Sequence, residues 1–172
     1  MVVNKKGDSP GMVVALAVIF AAAIILVVGA RVMGNIFDEL KDKLPTDSDN
    51  NNASVEAINV IQDNTVTWLD YAFLITFIAV SLGVIVSSVY VDTHPAFMVG
   101  FIVTWIMLVF LSPIMSNIFT EFIGEEEFVL ISQGFTFTRA IMGKLPVIIF
   151  GLTLFVIVVL YGKGKVSGGA AV

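Results

Sequence analysis

Two long uncharged runs separated by only four residues constrain this chain more than any other feature. Tyr71 to Val91 holds twenty-one residues without a charge, and Ala96 to Thr120 holds twenty-five. At about 1.5 Å rise per residue, either run crosses a hydrocarbon core of about 30 Å as a helix. The intervening Asp92-Thr93-His94-Pro95 leaves room only for an antiparallel neighbour. Asp92 or Thr93 suits a helix N-cap, and Pro95 suits a first turn, where a missing N–H costs nothing. The spacing predicts a transmembrane helical hairpin.

Composition agrees. The chain is 58% hydrophobic and 13% charged, where a soluble domain is about 45–50% apolar and about 25% charged. A core of this size has no room for so much apolar surface, so lipid is expected to solvate much of it. There is no cysteine and one histidine, which leaves a Cys/His metal site without ligands. A net charge of −5 argues against nucleic acid as a partner.

In chain order, 1–11 reads as a polar N-terminal tail and 12–34 as the first transmembrane helix. A lysine-bearing tail, an apolar run and Val28-Gly29-Ala30 also fit a signal peptide, but nineteen apolar residues from Met12 to Ala30 exceed a usual h-region of about 7–15. A retained helix is therefore expected. Residues 35–68 read as an acidic extramembrane helical hairpin. Beyond Arg31, Met33, Phe37, Leu40 and Leu44 recur at helical spacing until Pro45 breaks the pattern. After a polar loop, Ser54 suits an N-cap, and Val55, Ile58 and Ile61 mark the returning face. The arms, 31–44 and 54–68, are expected to pair through these residues, with Asp38, Glu39, Asp42, Asp47 and Asp49 outward.

The second and third transmembrane helices are placed at 69–91 and 96–120, around a tight turn at 92–95. Trp68 and Tyr71 fall where interfacial aromatics sit. Pro113 should kink the third helix, with Ser112, Ser116 or a neighbouring helix satisfying the freed carbonyl. Residues 121–142 form an acidic, interfacial segment in which Glu125-Glu126-Glu127 is solvated and 125–139 lies as a helix on Phe128, Ile131 and Phe135. The fourth transmembrane helix is placed at 143–162, with Pro146 near its start. A Gly-rich, flexible tail follows at 163–172. The fold class expected is an all-α membrane protein: four transmembrane helices in two antiparallel hairpins, the first two helices extended beyond the membrane.

Four spans put both termini on one side. That side carries four basic and two acidic residues, and the loop side five basic and twelve acidic, a balance of −7. The basic counts nearly tie, so orientation rests on the weaker acidic asymmetry, which favours termini on the cytoplasmic or interior side.

No Asp, Glu, Lys, Arg or His lies deep in any expected span. Pumps and coupled transporters need such a group. Carbonyl filters and hydrophobic gates do not. His94 reads as a turn residue, with pH sensing as its functional alternative. Glu125 to Glu127 read as a solvated face, because three consecutive carboxylates do not converge on a helix. The chain is expected to be no enzyme and to hold no cofactor or metal. Small residues recur four apart at Ala17 and Ala21, Ala30 and Gly34, Gly83 and Ser87, and Ser112 and Ser116, a spacing that lets helix backbones approach closely in lipid.

In size and hydropathy the chain resembles several unrelated groups: small subunits of membrane complexes, membrane proteins of membrane-containing viruses and phage hole-forming proteins. The expected function is a structural or accessory role in a larger membrane assembly. Its expected partners are the lipid bilayer, other membrane proteins or a homo-oligomer, and a basic protein at the acidic loops through Asp38, Glu39, Asp42, Asp47, Asp49 and Glu125 to Glu127. The alternative is an oligomeric hole-forming, holin-like protein or small channel, with Thr76, Ser81, Thr104, Ser112 and Ser116 as its polar lining.

Overall fold

The structure, a computed structural model, describes residues 9–44, 49–90 and 95–168. These are all-helical, without a strand: α1 Ser9–Asp42, α2 Asp49–Tyr90, α3 Pro95–Gly124, α4 Val129–Ser132, α5 Thr136–Gly143 and α6 Leu145–Gly168. Three helices are long and apolar enough to cross a membrane, or four if α5 and α6 count as one bent span. That is compatible with a multi-pass membrane protein. The tails expected at 1–11 and 163–172, the loop after Pro45 and the turn at 92–95 with His94 lie wholly or partly outside the described residues.

Local chemistry sets the breaks. α1 ends just before Pro45, whose ring disfavours helical geometry in the preceding residue. α3 continues through Pro113, which has no N–H for the Val109 carbonyl. Ser112 Oγ, 3.2 Å away, donates to that carbonyl instead. Between α5 and α6 the axis bends by 66°. Pro146 sits in the first turn of α6, where it cannot donate to Met142, so the two segments cannot form one straight helix.

Packing brings both α1 and α6 against α2 and α3. Leu16, Ile19, Ala23 and Val27 of α1 meet Phe73 and Phe77 of α2, Trp105 and Leu108 of α3, and Ile149 and Val156 of α6 in one apolar core. Much apolar surface still faces outward, including Ile25, Ile75, Met107, Phe110 and Val158. Such an exterior is stable only with lipid or protein against it.

The stretch read as one interfacial helix over 125–139 is a turn followed by the short helices α4 and α5. Phe135, expected to lie outward on acyl chains, is fully buried in the core. The arms also pair differently from the spacing. Gly34 and Ile58 are buried, and Phe37, Lys41, Leu44, Val55 and Gln62 are half-buried, whereas Met33, Leu40 and Ile61 are exposed. The polar pair Lys41 and Gln62 crosses the seam, Lys41 Nζ donating to Gln62 Oε1 at 2.7 Å.

Candidate functional site

The most distinctive group in the bundle is a carboxylate. Asp70 is 3% exposed, the only charged side chain buried among the described residues. It follows Val66 and precedes Phe73 and Phe77 at spacings of four, three and seven, so the face of α2 that buries those residues carries it inward.

Its partners lie on α5. Oδ2 accepts the Phe137 N–H at 2.8 Å, and Oδ1 accepts the Thr138 N–H and the Thr138 hydroxyl, each at 2.7 Å. Phe135 holds the N-cap position of α5 and supplies no side-chain cap. The second and third N–H groups of a helix are those an N-cap side chain normally satisfies. Asp70 performs this from another helix, placing negative charge at the positive end of α5. The opposite end is held by α3: Ser116 Oγ donates to the Gly143 carbonyl, on the last residue of α5, at 3.3 Å.

Close packing completes the junction. Ser132 Oγ lies 3.4 Å from the Ile123 carbonyl and 2.9 Å from that of Val129, tying α4 to the end of α3. The Tyr71 and Phe137 rings lie 5.4 Å apart, and the Phe122 and Phe128 rings 4.5 Å. A Cβ on Gly134 would sit 2.6 Å from Val66 Cγ1, so only glycine admits this approach of the loop to α2.

Chemically the arrangement is a fastening. Three of the about four acceptor positions of the carboxylate are occupied, and all three donors belong to α5. Deeper in the bundle, a small cleft among Leu16, Ile19, Phe77, Val84, Trp105 and Ile149 is almost wholly apolar. Among the described residues, no three His, Asp or Glu side chains converge as metal ligands would.

The sequence-predicted residues fall in three places. Asp38, Glu39 and Asp42 are exposed at the end of α1, where Glu39 pairs with Lys43 at 2.6 Å and Asp38 with Lys41 at 3.4 Å. Glu125, Glu126 and Glu127 are exposed in the turn after α3. Asp47 lies outside the described residues, as do the side chains of Asp49 and Ser87. Of the small residues, Ala30, Gly34, Ser112 and Ser116 are buried, while Ala17, Ala21 and Gly83 face outward. Sequence reasoning counted Asp70 only among the acids of the loop side. The available signals were its apolar register and the absence of a capping residue before α5.

No protein-family model, curated protein or solved structure matches this chain.

Proposed function

We propose that this is a small polytopic membrane protein with a structural or accessory role in a larger membrane assembly, as a subunit of a membrane complex or of the membrane layer of a virion. The observation that carries the reading is the state of Asp70. The one buried charge among the described residues is spent on fastening α5: all three of its hydrogen bonds come from Phe137 and Thr138. The remaining interior is packing surface. The hydroxyls of Thr76, Thr104 and Ser112 are likewise engaged, on carbonyls of their own helices, and Ser116 holds α5.

In this reading α1 and α2 form one antiparallel hairpin, and α3 with α6 the other. The arms of α1 and α2 stand out of the membrane, and α5 folds in at its surface. The termini lie on the cytoplasmic or interior side. Asp38, Glu39, Asp42 and the acids of the 125–127 turn form the face offered to a basic partner, whose approach they steer.

Native cysteine is absent, so single introduced thiols report sidedness. Asp49→Cys and Glu126→Cys should react with an impermeant maleimide from one side, and Lys5→Cys and Gly168→Cys from the other. Gentle detergent extraction should recover the chain with its partners, and replacing 35–66 by a Gly/Ser linker should release them. A chain that migrates alone and tolerates that replacement defeats the scaffold reading. Leaky liposomes containing only the purified chain would favour the hole-forming alternative.

A further inference from the structure

The arms bury less of their apolar surface than the sequence offers, and the surplus collects on one side. At about 100° per residue, Met33, Ile36 and Leu40 share one side of α1, and Ala57, Ile61 and Trp68 share one side of α2. All six are exposed, Trp68 by 74%. In an antiparallel hairpin these two sides coincide. The opposite side is covered by the α3–α5 connection, where Ile131 approaches Gly34 and Gly134 meets Val66.

Charge is sorted in the same way. Asp38, Asp42, Glu56 and Asp63 lie on the far and covered sides of the hairpin by the same wheel. The face carries no unpaired charge, since Lys43 and Glu39 at its edge pair with each other; exposed Asn64, which shares the α2 side, donates its amide to the Val60 carbonyl of its own helix at 2.8 Å. Below it the face continues into the membrane along α2 as Ala72, Thr76, Ala79 and Gly83, all exposed. A Cβ on Gly83 would meet nothing within 4 Å. Only 11% of the most apolar stretch of α2 is buried, against 28% in α1 and α3.

We infer that this face is the contact between two copies of the chain. The membrane holds both copies in one orientation, so a two-fold axis along its normal brings the same face together from each. Apolar side chains then meet apolar ones while the acidic sides point apart, so no like charges are forced together. A face without charge has nothing to select the basic partner proposed for the acidic side. Met33, Ile36, Leu40, Ile61 and Trp68 are each exposed by 40–74%, and contiguous apolar patches beyond about a few hundred Å² mark interaction sites. A standard interface takes about 800 Å² from each copy, and the small-residue stripe adds to the arm patch by letting helices approach in lipid.

The inference rests on the reading of α1 and α2 as a hairpin that extends beyond the membrane. Single-cysteine variants of the full chain in nanodiscs test the two separately. Impermeant maleimide should label Ile36→Cys and Ile61→Cys, placing them outside lipid. A short bis-maleimide should capture Ile36→Cys, Ala57→Cys and Ile61→Cys as dimers, and should leave Glu56→Cys and Asp63→Cys monomeric. In mild detergent the wild type should show twice the 18.5 kDa protein mass, and Ile36→Ser/Ile61→Ser should show that mass once with unchanged helical circular dichroism. Maleimide-inert thiols at 36 and 61 would overturn the extended hairpin itself. Labelled thiols with a monomeric wild type, or equal capture at 61 and 63, would overturn the dimer face alone and leave it to lipid or another protein.

Discussion

α5 packs against α1, α2, α3 and α6, whereas in the arms two helices hold each other and are covered on one side only, by the α3–α5 connection. The α5 junction buries a carboxylate, three serine or threonine hydroxyls and Phe135, each with a defined partner or packing site. The arms place a glycine and a Lys–Gln pair in their seam and leave Ile36, Leu40 and Ile61 bare. The difference is one of consequence. In a buried, satisfied network, removing one member strands the others. In a two-helix seam open to solvent, a lost contact is partly replaced by water. Stability of the isolated chain should therefore concentrate at α5, and the arms should depend on what binds them.

The strongest way to break this comparison is Asp70→Ala. It leaves the Phe137 and Thr138 N–H groups and the Thr138 hydroxyl without their acceptor. Each such buried loss costs about 1–3 kcal/mol, so a total of about 3 kcal/mol or more is expected. Thermal unfolding in detergent, followed by fluorescence of buried Trp105, should show the largest drop of any single substitution proposed. Asp70→Asn keeps the shape but turns an amide N–H₂ toward one donor, so its midpoint should fall between. A wild-type midpoint for Asp70→Ala would show that α5 is held by packing alone.

Gly134→Ala probes the same junction sterically. Its Cβ would press on Val66 Cγ1, a branched side chain on a helix with little freedom to move. Overpacking of this kind costs about 1–3 kcal/mol. Val66→Ala in the same chain should recover part of that loss, and failure to do so would place the strain elsewhere.

What was legible in the sequence divides along the same line. The all-α membrane class followed from uninterrupted apolar runs, because length and hydropathy are local properties. The Pro113–Ser112 accommodation was legible too, since the proline and its rescuer are adjacent. The α5 junction was not, because its cap comes from α2, 67 and 68 residues away in sequence. The arm seam was misread for a different reason. Met33, Leu40 and Ile61 follow helical spacing, but so do Gly34, Lys41 and Gln62, and hydrophobicity alone ranks the wrong set inward. Gly34 faces the side chains of Gln62 and Ile131, and the hydrogen bond from Lys41 to Gln62 crosses the seam.

Ser112→Ala should cost less, about 1 kcal/mol, because it removes one neutral hydrogen bond. The Val109 carbonyl then lacks both the N–H that Pro113 cannot give and the hydroxyl that replaces it. Pairing it with Pro113→Ala restores the helical N–H, so the double variant should be more stable than Ser112→Ala alone. A double variant no better than the single would mean that another group satisfies that carbonyl.

The smallest effect should have the opposite sign and comes from the arms. Gly34 lies inside α1, where glycine costs about 0.5–1 kcal/mol relative to alanine through backbone entropy. A Cβ there would lie 3.7 Å from Gln62 Nε2 and 3.8 Å from Ile131 Cδ1, both ordinary contacts with the ends of flexible side chains. Gly34→Ala should therefore raise the unfolding midpoint slightly, while Gly134→Ala lowers it. The signs differ because Gly34 lies inside a helix with room for a Cβ, whereas Gly134 lies in the turn between α4 and α5, where a Cβ would press on Val66. If Gly34→Ala also destabilises, the seam is as tightly packed as the junction and the contrast between the two regions fails.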